Sequence, residues 1–245
     1  MNKKIALCFL TYNNLSQPKL WEHFIHPKYN IYIHNKEYFK GVFEKYCIKN
    51  KVRTKWGHIS LIKATLILFK EAFQREENEY FILLSDKCIP LYSAIEIYNK
   101  VEQIDNNLLL TCPNESRNRY NLLANKKFIS KDIFSKQHQW MLLKRETVKF
   151  FIENDFTRIF GDNFYIPDEH YFITIMNKFN IPCINKQMTY VNWCENSDLH
   201  RYRPLPKTYA LLTNEMIVRI LKSDALFMRK VGPECILPSY FKIIN

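Results

Sequence analysis

Two apolar runs of strand length, separated by a long helical pattern, limit this chain to alternating strands and helices. Residues 5–10 and 80–84 are continuously apolar, as expected of strands buried on both faces of a mostly parallel sheet. Between them, residues 60–74 place apolar side chains at helical spacing, and Ser60 is a candidate N-cap. This order predicts an α/β protein with a mostly parallel central sheet flanked by helices.

The remaining segments continue this alternation without a repeat, a low-complexity tract or a linker, so we expect one domain over residues 1–245. Ligands of such sheets bind beyond the carboxyl ends of the strands. The sequence predicts strands over residues 4–11, 29–34, 52–53, 80–84, 108–111, 140–143, 181–184 and 188–193, helices over 20–24, 60–74, 94–103, 145–153, 168–178 and 214–223, and loops over 114–127 and 197–206.

The scarcity of glycine narrows the ways in which the chain can bind phosphate. Only 4 of the 245 residues are Gly, and neither a P-loop nor a G-x-G-x-x-G pattern occurs. Any phosphate must then be bound by cationic side chains or helix N-termini. The formal net charge of +12 favours an anionic partner, whether nucleic acid, a nucleotide-sugar diphosphate or an anionic membrane. No RRM, KH or helix-turn-helix signature is present, so nucleic acid is not expected.

Seven scattered cysteines without a C-x-x-C pair predict neither a disulfide framework nor a zinc module. They favour buried thiols in the cytoplasm or another reducing compartment. The apolar run at residues 5–10 is too short to span a bilayer, so we expect no signal peptide, membrane anchor or transmembrane segment. No pattern indicates an oligomeric state.

Sequence patterns for metal binding and acyl transfer are missing. The seven His residues include no H-E-x-x-H pair, and no Ser or Cys lies in a G-x-S-x-G elbow. Asp-x-Asp is absent too. The nearest run, Glu153-Asn154-Asp155, ends a predicted helix and is interpreted as a solvated helix end. We expect no metal site and no cofactor.

The most informative motif for function is Pro167-Asp168-Glu169, at the start of a predicted helix. Pro suits the first helical position and acids suit the first turn, so a well-formed helix start is one interpretation. The other is a functional carboxylate, because a sugar-transfer site needs an acid among aromatic and cationic residues. The accompanying motifs are Trp56-Gly57-His58-Ile59-Ser60, Leu83-Leu84-Ser85-Asp86, Pro90-Leu91, Val191-Asn192-Trp193 and Leu226-Phe227-Met228-Arg229-Lys230.

In this order, the motifs resemble the Core-2/I-branching N-acetylglucosaminyltransferase family with its xylosyltransferase relatives. Residues 56–91 are similar to the family's central block, and residues 226–230 to its basic motif. Pro167-Asp168-Glu169, followed by Thr174, is similar to its catalytic acid motif. The resemblance implies a GT-A-like nucleotide-sugar fold and an inverting, metal-independent transfer from a UDP-sugar. The chain departs from the family in lacking its anchor, its stem and most of its disulfide cysteines, and in Ser85 at the usual Gly.

The resemblance also implies roles for individual residues. Glu169 matches the base that takes the acceptor proton, and Trp193 matches the acceptor-site aromatic; Asp168 is expected to cap the helix or shape the pocket. Lys230 matches one of two cations that replace a metal at the diphosphate, and the second falls near Lys207. Rival cations for that second position are Arg201, Arg203 and Arg229.

Positions in the predicted fold add further candidates. Loops after the first strands are expected to meet the donor nucleotide, and an acid after the central strand can bond sugar hydroxyls, although ordinary turn roles are the alternative. Aromatic side chains can stack on an acceptor sugar, although isolated aromatics are usually core. The donor candidates are Thr11, Tyr12, His34, Asn35 and Asp86, and the acceptor candidates are Trp140, Tyr165, Trp193 and the flanking Glu195.

Residues and resemblance together predict an inverting, metal-independent glycosyltransferase, similar to β-1,6-N-acetylglucosaminyltransferases. It is expected to move N-acetylglucosamine or xylose from a UDP-sugar donor to a hydroxyl of a glycan acceptor. Two alternatives stay open: a basic nucleic-acid-binding protein, and a sugar-binding protein of the same fold that has lost catalysis.

Overall fold

The computed structural model describes residues 3–113, 115, 117–193 and 205–243. The strands are β1 (Lys4–Thr11), β2 (Tyr29–Asn35), β3 (Asn78–Ser85), β4 (Ile89–Pro90), β5 (Asn107–Leu108), β6 (Thr111–Cys112), β7 (Lys136–Gln137), β8 (Leu142–Lys144), β9 (Cys183–Ile184), β10 (Thr189–Val191), β11 (Tyr209–Leu211), β12 (Phe227–Arg229) and β13 (Val231–Ile236). The helices are α1 (Pro18–His23), α2 (Ser60–Phe73), α3 (Ala94–Glu102), α4 (Arg145–Glu153), α5 (Thr157–Phe160), α6 (Tyr171–Lys178), α7 (Asn214–Leu221) and α8 (Tyr240–Ile243). Short 3-10 helices cover Glu44–Tyr46, Arg117–Leu122 and Pro167–Glu169.

Six strands form the central sheet, in the order β2-β1-β3-β8-β5-β9. Strand β1 pairs in parallel with β2 and β3, and β5 with β9, whereas β8 runs antiparallel to both β3 and β5. Strands β1 and β3 are almost entirely buried, which explains their continuous apolar sequences. The predicted α/β class with a mostly parallel central sheet is confirmed, and the sheet is consistent with a GT-A-like fold.

Helices cover both faces of this sheet. Phe81 of β3 is level with Ala6 of β1, and its ring centroid lies 6.1 Å from that of Phe69 in α2. Phe9 lies three residues along β1 from Ala6, so it faces the opposite side, where its ring lies 4.9 Å from Trp21 of α1. The longest helix in the described ranges, α2, has 14 residues, and no helix there is long and apolar enough to cross a membrane.

The three parallel strands β1, β2 and β3 end at a common edge. Leu10 of β1 pairs with His34 of β2 on one side and with Ser85 of β3 on the other. The loops that follow the three strands therefore lie side by side, at the edge where α/β sheets bind ligands.

A smaller sheet, in the order β10-β12-β4, carries the C-terminal basic motif. Strand β12 is parallel to β10 and antiparallel to β4, and Arg229 is its last residue. Trp21 joins the two sheets, because its indole N–H donates to the Cys88 carbonyl at 3.0 Å and its ring stacks on Phe227 at 6.1 Å. Strand β13 and helix α8, both beyond residue 230, are absent from the sequence prediction.

Two segments before the acid motif differ from the sequence prediction. Residues 52–53 are not a strand, because the Val52 N–H donates to the buried ring of His34 at 3.2 Å instead of entering a ladder. Residues 114–127, predicted to be a loop, contain the 3-10 helix Arg117–Leu122. Both segments take their conformation from tertiary contacts that have no local signature.

The predicted N-cap of α2 is wrong. Ile59, not Ser60, is the N-cap of α2; the Ser60 hydroxyl accepts the Lys55 N–H at 2.9 Å. At the start of α7, the hydroxyl of Thr213 caps the helix, since it accepts the Met216 N–H at 3.3 Å.

Arg145, the first residue of α4, stabilises the C-terminal end of α2. Its guanidinium donates to the carbonyls of Phe73, Arg75 and Asn78, each at 3.0 Å, and stacks 3.9 Å from the Phe73 ring centroid. We predict that Arg145→Ala lowers the free energy of unfolding by about 2 kcal/mol, because three carbonyls lose a charged donor. Urea unfolding followed by circular dichroism measures this loss. Arg219→Ala, on the exposed side of α7, should stay within about 0.5 kcal/mol of wild type, and an equal loss in both variants would contradict the prediction.

Candidate functional site

Glu169 lies on a turn, where the sequence analysis predicted the first turn of a helix. Ile166 has a left-handed φ of 55°, Pro167–Glu169 form one 3-10 turn, and His170, with φ −133°, interrupts the path before α6 begins. The continuous helix predicted over residues 168–178 is therefore wrong at its start. Because of this break, Glu169 belongs to the turn that precedes α6 and not to the helix itself.

Gly57 holds this turn against the block that begins at Trp56. The Ile166 N–H donates to the Gly57 carbonyl at 2.9 Å, and Gly57 has φ 67°, which favours glycine. A Cβ at Gly57 would lie 3.4 Å from the Tyr165 ring and 3.5 Å from Ile166. Trp56 in turn packs edge-on against Tyr165, with ring centroids 5.8 Å apart. The structure thus brings the Trp56-Gly57 motif and the acid motif together.

Arg119 is the ion-pair partner of Glu169. Its Nη1 lies 2.8 Å from Glu169 Oε2, and the two side chains are only 20% and 24% exposed. Its guanidinium also lies 5.8 Å from the ring centroid of Tyr165. Sequence analysis missed Arg119, because residues 114–127 show no periodicity; their basic character was the one signal available.

His170 is a second partner of the same Arg119 nitrogen. Its Nδ1 lies 2.9 Å from the Ser135 carbonyl, which can only accept, so we assign the ring proton to Nδ1. Nε2 then accepts from Arg119 Nη1 at 3.3 Å. Burial is the main cause that lowers the pKa of His170 to about 3, and the Arg119 charge adds to it, so the ring is neutral at pH 7. Phe134 stacks on the ring at 4.6 Å and holds its plane.

Asp168 does not cap a helix, contrary to one of its two predicted roles. The helical N-cap positions around it show no side-chain cap bond, and its buried Oδ1 has no hydrogen-bond partner among the described residues. Burial raises the pKa of Asp168 to about 7, with a smaller contribution from the neighbouring Glu169 charge and an opposing one from Arg119. Its role in shaping the pocket stays a prediction.

Arg229 is held by an aromatic ring at the end of β12. Its guanidinium carbon lies 4.2 Å from the Trp140 ring centroid, and its buried Nε has no partner among the described residues. Burial lowers the pKa of Arg229, and the nearby Cys88 and Asp86 oppose that shift. Trp140 is only 6% exposed, so its ring supports a cation here and offers little surface to an acceptor sugar.

Lys230 and Lys207 meet through the main chain next to Arg229. The Lys230 N–H approaches the Lys207 carbonyl at 3.4 Å, and the Lys207 N–H donates to the Asn192 carbonyl at 2.9 Å. Burial lowers the pKa of Lys230 to about 8, and the charges of Arg229 and Lys87 add to the shift while Asp86 opposes it.

Asp86, directly after β3, lies within the field of these cations. Burial raises the pKa of its carboxyl group, and the charges of Lys87 and Arg229 oppose the shift. The Val231 N–H donates to the Lys87 carbonyl at 3.0 Å, which ties the loop after β3 to the basic motif. Asp86 and the three cations Lys87, Arg229 and Lys230 are therefore close neighbours. A fourth cation, Lys207, adjoins them through its main chain.

His138 is a residue whose pKa responds both to the acid Glu169 and to the cation Arg229. Burial is the main reason that the pKa of His138 is lowered, and the Lys136 charge is the next. The Arg229 charge lowers this pKa further, whereas the Glu169 charge raises it. Both charges therefore act on one half-buried ring. Trp193, 37% exposed, packs edge-on against that ring at 6.1 Å, so the predicted acceptor aromatic lies beside His138.

The donor candidates at the edge of β1 and β2 mainly hold the chain. Thr11 is 4% exposed, and its carbonyl accepts the Lys36 N–H at 3.0 Å. His34 is fully buried, with its pKa lowered mainly by burial, and accepts the Val52 N–H. Asn35 donates to the Glu37 carbonyl at 2.6 Å and accepts from Lys51 at 2.7 Å. These contacts agree with the ordinary turn role that the sequence left open, while Tyr12 is 56% exposed.

Several candidates fall elsewhere. Within the described ranges, no three His, Cys, Asp or Glu side chains converge as they would on a metal ion. Asp155 accepts from the backbone and hydroxyl of Thr157 at 2.8 and 2.6 Å, as suits a helix end. Glu195, Arg201 and Arg203 lie outside the described residues.

Comparison with known proteins gives the same family as the motifs. The family model described as Core-2/I-Branching enzyme matches residues 5–221. Over 166 residues the chain is 25% identical to glycosyltransferase BC10 of Oryza sativa subsp. japonica, in an alignment that covers 63% of this chain and 41% of the rice protein. The chain thus spans less than half the length of that curated relative. Since the family match runs from the first strand through α7, this chain belongs to the Core-2/I-branching enzyme family of glycosyltransferases.

Proposed function

We propose that this protein is an inverting glycosyltransferase that uses a UDP-sugar and no divalent metal. It transfers N-acetylglucosamine or xylose to a hydroxyl of a glycan acceptor, as its β-1,6-N-acetylglucosaminyltransferase-like motifs suggest. One observation carries the proposal: in a chain of this glycosyltransferase family, the Glu169 carboxylate is held by Arg119 at 2.8 Å, and the Arg229 guanidinium is held 4.2 Å from the Trp140 ring. An oriented acid and an oriented cation are the two groups that a displacement from a diphosphate requires.

Glu169 acts as the general base in this scheme. Arg119 engages its Oε2 and fixes the carboxylate in one orientation, while Oε1 has no hydrogen-bond partner among the described residues. As the acceptor oxygen attacks the anomeric carbon, Oε1 takes its proton and the bond from that carbon to the diphosphate breaks. A single displacement inverts the anomeric centre and needs no second carboxylate as nucleophile.

The departing diphosphate is stabilised by Arg229, Lys230 and Lys207. Arg229 can bind two phosphate oxygens through its planar fork, and Lys230 and Lys207 supply point charges. Burial and the stacking on Trp140 keep the Arg229 guanidinium oriented before the donor arrives, so little reorganisation accompanies the reaction. Asp86 offsets part of the positive charge of these cations and can accept from donor sugar hydroxyls.

Glu169→Gln tests the base directly. We expect kcat for transfer to fall by about 10²–10⁴-fold, because the amide cannot accept the proton, while UDP binds with unchanged affinity. Transfer assays with candidate UDP-sugars and calorimetric titration with UDP measure the two quantities. Glu71→Gln, on the exposed side of α2, is the matched control and should retain full turnover. Turnover near the wild-type rate in Glu169→Gln would remove the assigned base.

Metal removal tests the role of the cations. After treatment with EDTA, donor hydrolysis and transfer should continue at the untreated rate, because side-chain cations neutralise the diphosphate. The measurement compares treated protein, untreated protein and treated protein given excess Mn²⁺ or Mg²⁺. Activity that disappears with EDTA and returns with the metal would refute the proposed metal independence.

The pH dependence of UDP binding tests Lys230. Its pKa of about 8 means that Lys230 is charged below pH 8 and loses its charge as the pH rises through that value. UDP affinity should therefore be constant from pH 7 to the onset of this titration, and then fall by up to about tenfold per pH unit. Lys230→Arg keeps its charge and should remove the fall. Calorimetry across the range checks both proteins, and parallel curves for the two would contradict the assignment.

A further inference from the structure

One strongly basic segment of the chain contains none of the residues assigned to the proposed mechanism. Residues 36–55 carry seven exposed cations and two acids, so they contribute +5 of the net +12. The cations are Lys36, Lys40, Lys45, Lys49, Lys51, Arg53 and Lys55. A charge density of this kind on one short segment favours an anionic partner.

The main chain of this segment is fixed to the carboxyl edge of the central sheet. The Lys36 N–H donates to Thr11 O at 3.0 Å, and the Lys40 N–H donates to Asn14 Oδ1 at 2.9 Å. Further along, the Ile48 N–H donates to a β2 carbonyl at 2.9 Å, and the backbone of residue 52 bonds to a β2 side chain. The lysines are therefore presented from a held backbone at the mouth of β1 and β2.

Exposed aromatic rings are interleaved with these cations. Tyr12, Tyr38 and Trp56 are 56%, 71% and 68% exposed. The Lys36 ammonium lies 5.0 Å from the ring centroid of Tyr12, and that of Lys40 lies 5.1 Å from Tyr38. The two tyrosine rings each have a cation over one face, and all three rings keep exposed surface for stacking. Such a surface suits a polyanion whose units also have flat apolar faces.

The surface runs into the candidate site at Trp56. The Trp56 ring contacts Tyr165 at 5.8 Å, and Tyr165 lies 5.8 Å from the guanidinium of Arg119, the partner of Glu169. A chain lying along residues 36–56 therefore reaches the aromatic pair that adjoins Arg119. Because the Arg119–Glu169 pair is only 20% and 24% exposed, a flat bilayer surface reaches it less readily than a linear polymer does.

We propose that residues 36–56, together with Tyr12, bind the acceptor, and that the acceptor is an acidic glycan bearing carboxylate or phosphate groups. The lysines pair with its charges, and Tyr12, Tyr38 and Trp56 stack on its sugar rings. This binding directs a sugar hydroxyl at the end of the bound stretch to Glu169. The inference rests on the proposed function for its catalytic consequence, but the binding itself can be measured without any turnover.

The test uses polygalacturonate as the acidic glycan, with neutral dextran as its uncharged counterpart. We expect the wild-type protein to bind polygalacturonate and not dextran, and to weaken as salt is raised. The triple variant Lys36→Gln, Lys40→Gln, Lys45→Gln should bind at least about tenfold more weakly. The matched triple variant Lys70→Gln, Lys126→Gln, Lys222→Gln removes the same charge from exposed positions elsewhere. Its affinity for polygalacturonate should stay within about twofold of wild type.

Trp56→Ala separates a specific path from general attraction. It leaves the charge unchanged, yet it should weaken polygalacturonate binding, because a stacking surface is lost beside the acid. An equal loss in the matched lysine variant would overturn the proposal, since the attraction would then be diffuse. Tighter binding to phosphatidylglycerol vesicles or to single-stranded DNA than to polygalacturonate would overturn it too. UDP-sugar hydrolysis by wild-type protein, measured separately, reports on the proposed function alone.

Discussion

The ion pair between Arg119 and Glu169 is the contact on which the candidate site depends. Glu169 is on a turn and not in a helix, so regular backbone structure does not orient its carboxylate. Arg119 provides that orientation, and it is itself oriented by His170, whose Nε2 is an acceptor because Ser135 takes the Nδ1 proton. The Glu169 carboxylate is thereby connected through Arg119 and His170 to the buried core around Phe134.

This arrangement also resolves an energetic difficulty. A largely buried ion pair loses hydration that its Coulomb attraction alone does not always replace. Here the guanidinium gains a second acceptor in His170 and an aromatic neighbour in Tyr165, so three partners compensate its desolvation. A neutral His170 is essential to this balance, since a protonated ring would turn its acceptor into a donor and add a like charge beside Arg119.

The sequence predicted those parts of the fold that are determined by local burial. Strand β1 and helix α4 have the predicted bounds, because continuous or periodic apolar residues define them. The helix predicted at the acid motif was wrong at its start, since a left-handed Ile166 bonded to Gly57 has no signature in residues 168–178. Arg119 could not be found, because its importance comes from an acid 50 positions away and not from its neighbours. Trp140 was assigned to sugar stacking, but its face lies under Arg229, a pairing that only the tertiary fold creates.

The two halves of the site lie on different elements, the acid on a turn before α6 and Arg229 at the end of a strand. The acid belongs to the large core, while Arg229 ends a strand of the small sheet. Trp21 contacts Phe9 in the first and Phe227 in the second, and its N–H fixes the chain at Cys88, which follows Asp86 and Lys87. Because this indole is 1% exposed and bonded on its polar edge, it has little freedom to shift. Trp21 therefore fixes the small sheet, and with it the strand that ends at Arg229, against β1 of the central sheet.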